Sequence, residues 1–305
     1  QGPALVESAP IGSSAIASSR MAQGKSLGYE GATAVVTGAA SGIGRALAIE
    51  LAGRGANLAV SDVDDVGLSE TVSRCEDAAK GAGKTKGYHL DVADRQAFTV
   101  HAAEVASEFG RVDMVFNNAG VAVTATVEEM RWEDFDWLMG INFWGVVHGS
   151  KIFLPHLISS GDGYLVNISS IFGFIGVPTQ SSYNSAKFAV RGFTEALRQE
   201  MLIDRKPVTV CCVHPGGIRT NIARNSRASA LDPAEKQRMA ADFDRIARTS
   251  PERAATTILG GMERRRPRIL IGADAYLIEG MERLLGARYQ AVVSRIARRS
   301  PLGTA

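Results

Sequence analysis

The sequence predicts an α/β fold: a doubly wound parallel sheet of about seven strands with helices on both faces, built as a single domain. Three observations carry this. Short β-branched or apolar runs alternate with longer helical ones from Gly31 onward, the pattern of strand–helix–strand units. A glycine-rich turn, Thr37-Gly-Ala-Ala-Ser-Gly-Ile-Gly44, joins the first such strand to the first helix. The composition, 305 residues with 45% apolar and 22% charged, suits one large open sheet with a sizeable core.

In chain order, strands are expected at 32–37, 57–62, 85–90, 112–117, 163–169, 208–213 and 268–271. Helices fill the gaps at 42–54, 66–80, 94–109, 132–158 and 181–204. Pro155 lies inside the fourth helix, where a kink or break is expected because proline lacks an amide hydrogen and crowds the preceding turn. Residues 1–30, rich in Gly, Ser and Ala, read as a partly disordered tail without the pattern of a secretory signal. The sheet domain then spans 31–272.

Residues 273–305 read as an amphipathic basic helix. Its apolar stripe is Leu277, Met281, Leu284, Leu285, Tyr289, Val292 and Ile296, accompanied by Arg283, Arg288, Arg295, Arg298 and Arg299. The stripe is expected to pack on the body or on a partner subunit. Contact with a membrane surface is the second reading.

The net charge of +2 gives no whole-molecule attraction to nucleic acid, although residues 262–300 hold nine arginines against four acids. Cys75, Cys211 and Cys212 show no metal spacing, so no metal is expected, and they fit a reducing, cytoplasmic setting. No apolar run is long enough to span a membrane.

The glycine turn points to chemistry. Gly38, Gly42 and Gly44 permit a tight turn and close approach of a ligand, and Ser41 and Ile43 sit in the same turn. The helix N-terminus behind it offers free N–H donors and a favourable dipole to a pyrophosphate. The flanking strand and helix make this a Rossmann-type dinucleotide site. Asp62 ends the second strand, 18 residues after Gly44. A carboxylate there accepts ribose hydroxyls and repels a 2′-phosphate, which favours NAD over NADP. Val63 follows it rather than an arginine. Arg45 keeps an NADP(H)-dependent enzyme as the alternative.

Tyr183 and Lys187 are four apart in a helical region and share one face. An ammonium beside the phenol is expected to lower the tyrosine pKa towards the working range for proton transfer. Alone, this pair is a common pattern.

Its company is specific. TGAASGIG at 37–44, Asp91-Val92, NNAG at 117–120, Asn142, Ser170, Tyr183-Asn-Ser-Ala-Lys187 and Pro215-Gly-Gly-Ile-Arg-Thr220 occur in one order. Over residues 31–272 the chain resembles the short-chain dehydrogenase/reductase (SDR) family. The resemblance implies hydride transfer between NAD(H) and the carbon of a secondary alcohol or ketone. Tyr183 would be the general acid/base, Ser170 would hydrogen-bond the substrate oxygen, and Lys187 would tune Tyr183 and hold the nicotinamide ribose. Asn142 would help hold a proton-relay water. Ser169 and Ser170 are neighbours, and successive strand residues face opposite ways. The family spacing of thirteen residues before the tyrosine selects Ser170.

For the cofactor, the resemblance places Gly38, Ser41, Gly42, Ile43 and Gly44 at the pyrophosphate, and Asp91 and Val92 at adenine. Asn118, Ala119 and Gly120 fall beside the adenosine ribose. Pro215, Gly216, Ile218 and Thr220 border the nicotinamide and pyrophosphate, and Tyr183 and Lys187 complete the set. Residues 219–250 would form a variable substrate lid, with a charged helix at 233–248. Phe172, Phe174 and Val177 either line the pocket, implying an apolar alcohol or ketone, or pack in the core. A homodimer or homotetramer is the expected assembly. A catalytically silent dinucleotide sensor or scaffold is the alternative of another class. It could dispense with Ser170, Tyr183 and Lys187, yet all three are present.

Overall fold

The computed structural model describes residues 28–228 and 232–298. The expected tail, up to residue 27, lies outside the described residues, as do lid residues 229–231 and the last seven residues, 299–305, of the C-terminal extension. The strands are β1 (Thr33–Thr37), β2 (Asn57–Asp62), β3 (Thr85–His89), β4 (Met114–Asn117), β5 (Gly163–Ile168), β6 (Val208–Pro215) and β7 (Arg268–Ile271). The helices are α1 (Gly42–Gly53), α2 (Asp65–Ala79), α3 (Arg95–Phe109), α4 (Trp132–Met139), α5 (Gly145–Ser159), α6 (Ser181–Ile203), α7 (Pro233–Ile246), α8 (Pro251–Glu263), α9 (Ala273–Leu285) and α10 (Tyr289–Ala297).

All seven strands run parallel in the order β3-β2-β1-β4-β5-β6-β7. The winding reverses between β1 and β4, which opens a crevice at the carboxyl ends of those strands. Side chains alternate between two cores, as strand geometry requires. Val36, Val60 and Phe116 meet Leu47 and Leu51 of α1 and Ile258 of α8. Their neighbours Val35, Ala59 and Val115 meet Phe98 of α3, Phe153 of α5 and Leu197 of α6. Every residue of β1, β4, β5 and β6 is buried.

Three expectations change. The helical region at 132–158 is two α-helices, α4 and α5, joined by a π-helical turn at Gly140–Trp144. Pro155 lies within α5 and does not end it. The carbonyl that loses its partner belongs to Lys151, an exposed residue, where water can take over. Tyr29, read as tail, is 9% exposed and packs in the first core, with its hydroxyl donating to Glu263 at 2.9 Å and Arg54 over its ring.

The C-terminal extension is also not one helix. A 3-10 turn at Gly286–Arg288, opening on Gly286 with φ 49°, separates α9 from α10. Ile278, Met281, Tyr289 and Val293 pack on the body. Leu277, Leu284 and Ile296, expected to pack on the body or on a partner subunit, do not pack on the body and are 73%, 86% and 63% exposed in the single chain. Among the described residues no helix is long and apolar enough to cross a membrane.

Candidate active site

The site grows from the crevice between β1 and β4. At its floor, the glycine turn is closed by contacts that leave no room for side chains. A Cβ on Gly44 would stand 2.2 Å from the Gly38 carbonyl oxygen and 2.5 Å from Asn118 Nδ2. Gly38, at φ 66°, would meet the Ala119 main chain at 2.6 Å, and Gly42 has φ 56°. The Asn118 amide donates to the carbonyls of Thr37 and Gly38 at 2.9 and 3.1 Å, while Thr37 Oγ1 accepts from the Asn118 and Ala119 amides. The Asn118 side chain therefore braces the turn. Ser41 is the α1 N-cap residue, and its hydroxyl caps no helix amide among the described residues. Ile43 lies one turn position further into α1, partly buried. The start of α1 keeps its donors for a ligand.

Asp62 lies beside this turn. One carboxylate oxygen accepts from the Ala40 amide at 2.9 Å and the other from the Val63 and Asp64 amides at 2.8 and 3.1 Å. Arg45 faces α2 instead. It donates to Thr71 Oγ1 and to the Ala40 and Gly67 carbonyls, and pairs with Glu70 at 3.0 Å. After β3, Asp91 is exposed and accepts from the Ala93 amide at 2.9 Å, whereas Val92 is buried against Gly145. Thr220 reaches the opposite wall of the turn, its methyl 3.1 Å from where a Gly42 Cβ would stand. Pro215 ends β6, and the Gly216 amide donates to the Ile271 carbonyl. Ile218 is buried and bridges to Thr249.

The candidate catalytic side chains sit where β5 ends and α6 begins. Ser169 Oγ turns away and donates to the Lys187 carbonyl at 2.8 Å. Ser170 takes an extended backbone and caps the 3-10 turn Ile171–Gly173 by accepting from the Phe172 amide, with its hydroxyl beside Tyr183. Lys187 Nζ donates to the Ile168 carbonyl at 3.0 Å and stands 5.5 Å from the Tyr183 ring centre. Gly120 lies beside this group, a Cβ there standing 3.7 Å from Lys187 Nζ and 3.4 Å from Asn142 Oδ1.

The expected lowering of the Tyr183 pKa is not what the structure gives. Burial pushes the phenol up to about 12, and the Ser170 hydrogen bond only offsets part of this. Burial also brings the Lys187 ammonium down to about 8. Desolvation disfavours the charged form of both groups.

Asn142 lies in the π-turn, fully buried, and holds the Val121 main chain at both ends: it accepts from the amide and donates to the carbonyl, each at 2.8 Å. One N–H and one lone pair of its amide remain for a water. Phe172 meets the Tyr183 ring edge-on at 6.0 Å. Phe174 is 2% exposed and belongs to the core, stacked on His214 at 4.1 Å, and Val177 packs against the same cluster. The segment expected to form a lid contains α7, close to the expected charged helix, and Arg227, ahead of α7, lies 3.6 Å over the Trp137 ring and pairs with Asp134.

Sequence reasoning missed four residues. Asn184 holds the loop between Ser170 and Tyr183, donating to the Phe172 and Ile175 carbonyls and accepting from the Val177 amide. His214 Nδ1 is 2.9 Å from the Ser170 carbonyl, which lies just past the last ladder bond between β5 and β6. Asp274 accepts from the Gly217 amide at 2.7 Å, and Tyr289 from the Gly176 amide at 2.8 Å. Asn184 and His214 lie in or beside recognised motifs and were within reach; the apolar stripe marked Tyr289 for packing but not for this hydrogen bond, and nothing local marks Asp274.

Residues 32–231 match the family described as short chain dehydrogenase, and the chain belongs to that family of oxidoreductases. It is 51% identical over 267 residues to the Mycobacterium tuberculosis protein SadH, named as an oxidoreductase, covering 87% of this chain and 95% of that one. It is 32% identical over 282 residues to a C alpha-dehydrogenase from a Sphingobium strain, covering 88% of each. Among solved structures, a short chain dehydrogenase/reductase from Burkholderia phymatum in complex with NAD superposes with a TM-score of 0.79 at 27% identity, covering 87% of this chain and 96% of that one.

Proposed function

We propose that the protein interconverts a secondary alcohol and a ketone with NAD(H), using Tyr183 as general acid/base. The observation that carries this is the grouping of Ser170, Tyr183 and Lys187 at the end of β5, beside the glycine turn. The residues fit a dinucleotide. The cradle of Gly38, Gly42 and Gly44 admits only main chain, and α1 presents its N-terminus there. The Lys187 ammonium has three donors, of which Ile168 takes one, leaving two for ribose hydroxyls. Nicotinamide, when bound, supplies or accepts the hydride.

Ser170 Oγ orients the substrate oxygen. The Tyr183 hydroxyl gives that oxygen a proton during reduction, leaving the phenolate, and the phenolate takes one from the alcohol during oxidation. A phenol kept neutral by burial is the correct form for the reducing direction. Asp62 at the end of β2 supports NAD, as does Arg45, whose guanidinium is tied to α2 and the turn rather than offered to a 2′-phosphate. The NAD complex of the Burkholderia relative agrees with this preference. Phe172 on one side of Tyr183 and Val121 and Phe143 in the cluster on the other support an apolar substrate. The name of the Sphingobium relative, C alpha-dehydrogenase, supports a dehydrogenase. The test is a screen of aliphatic and aromatic secondary alcohols and ketones with NAD(H) and NADP(H), read by nicotinamide absorbance. Turnover of apolar members with NAD(H) is expected; turnover confined to charged sugars or hydroxy acids would overturn the substrate class.

A further inference from the structure

α9 and α10 lie beyond the residues matched to the family, yet they touch both sides of the site. Near the start of α9, Asp274 accepts from the Gly217 amide at 2.7 Å. The fit is close: a Cβ on Gly216 would stand 2.2 Å from the same carboxylate, and one on Gly272, at φ 93°, would stand 2.3 Å from it. Gly217 belongs to the loop after β6 that runs to Ile218 and Thr220, and Thr220 abuts the glycine turn. At the start of α10, the Tyr289 hydroxyl accepts from the Gly176 amide at 2.8 Å. Gly176 lies in the loop that carries Phe172, whose ring edge meets Tyr183. Met281 and Val293 pack beneath that loop.

We propose that α9 and α10 act as a two-ended strut, in which Asp274 positions the 216–218 loop for the dinucleotide and Tyr289 positions the 172–177 loop for the substrate. The functional half of this rests on the oxidoreductase reading above. Each end is a side-chain acceptor on a loop amide, so each can be released without emptying the core. Asp274→Ala strips the acceptor from Gly217 together with the carboxylate packed against Gly216, which is why Asp274→Asn, keeping the shape, is needed beside it. Tyr289→Phe removes one hydroxyl and keeps the ring in its cluster.

The experiment compares both variants, with Asp274→Asn as the conservative control, in the full chain. It reads dinucleotide Kd by fluorescence titration, KM and kcat with the best alcohol of the screen, and hydrogen exchange of the two loops. Loss of one such hydrogen bond corresponds to a change of about fivefold. Asp274→Ala is expected to weaken dinucleotide binding by about that factor and to speed exchange at 216–218, with substrate KM unmoved. Asp274→Asn, which keeps an acceptor oxygen, recovers most of the loss. Tyr289→Phe is expected to speed exchange at 172–177 and raise substrate KM, with dinucleotide Kd unmoved. Unchanged exchange in both loops would overturn the strut, as would parallel shifts of both constants in both variants. If no alcohol or ketone is turned over, the oxidoreductase reading fails, while exchange and dinucleotide binding still decide the Asp274 end and exchange alone the Tyr289 end.

Discussion

The dinucleotide side and the substrate side of this crevice are held by different means. Around the glycine turn the backbone itself is crowded: the Gly38 and Gly44 positions are closed to any Cβ by main chain, Gly42 takes a positive φ, and the Thr37 and Asn118 side chains bond directly to the turn. Around the 172–177 loop, side chains from distant elements reach over to loop amides and carbonyls: Asn184 from α6, Tyr289 from α10, and His214 from β6 at the Ser170 carbonyl just before the loop. Crowded backbone admits only glycine, so the first kind of construction leaves a mark in the sequence. A polar side chain accepting one hydrogen bond can be almost any polar residue at almost any separation, so the second kind leaves none.

The largest effect expected lies where the two sides meet. Tyr183→Phe should reduce kcat by about a thousandfold, because the proton donor is gone while the ring remains. NADH binding, measured by fluorescence titration, should be retained, since the glycine cradle is untouched. Turnover near wild type in this variant would remove Tyr183 from the chemistry.

Next come the glycines, which test the claim about crowded backbone directly. Gly44→Ala should abolish measurable NADH binding and lower the melting temperature, because the Gly38 carbonyl 2.2 Å away cannot yield without moving β1. Gly192→Ala, in α6, is the matched control. Beyond its chain neighbours and its own helix backbone, no heavy atom of the described residues lies within 4 Å of the Cβ an alanine would place there, so the change should be neutral or stabilise by up to about 1 kcal/mol. Equal behaviour of the two variants would break the comparison. A smaller effect is expected from Asp62→Ala, which should narrow the preference for NADH over NADPH by about tenfold in paired titrations. An unchanged ratio would take Asp62 out of cofactor choice.

Legibility follows the same division. The parallel sheet, its seven strands and the glycine turn were readable because periodicity and steric exclusion are local properties. The break between α4 and α5 was not, because the π-turn that sets Asn142 against Val121 has no sequence mark of its own, whereas Pro155, which has one, does not interrupt α5. The Tyr183 pKa was misjudged because the YxxxK spacing shows the ammonium and hides the burial. In α9, the apolar pattern Leu277, Met281 and Leu284 is regular, yet the body contacts Ile278 and Met281. Helical periodicity finds an apolar face without saying which edge of it will be covered.

Two buried histidines give the finest test of the contrast. His101 and His214 are both held down to about 4 by burial, from an ordinary value near 6.5. Between these values the unfolded chain binds protons that the folded chain refuses, so stability should fall as pH drops from about 6.5 towards 4. Each histidine contributes to that slope, and replacing either with phenylalanine should flatten it in denaturant titrations at several pH values. Their partners differ. His101 sits edge-on among Tyr88, Phe98 and Phe153, and neither ring nitrogen has a hydrogen-bond partner among the described residues. His214, neutral and carrying its proton on Nδ1, donates to the Ser170 carbonyl and stacks on Phe174. His101→Phe should therefore flatten the acid slope and leave kcat unchanged. His214→Phe should flatten it, keep the stack, and, on the proposed role of Ser170, lower kcat several-fold, because that serine loses its main-chain anchor. If both variants keep wild-type kcat, the Ser170 backbone is held by the sheet and the 3-10 turn alone, and the substrate side is less dependent on distant side chains than its hydrogen bonds imply.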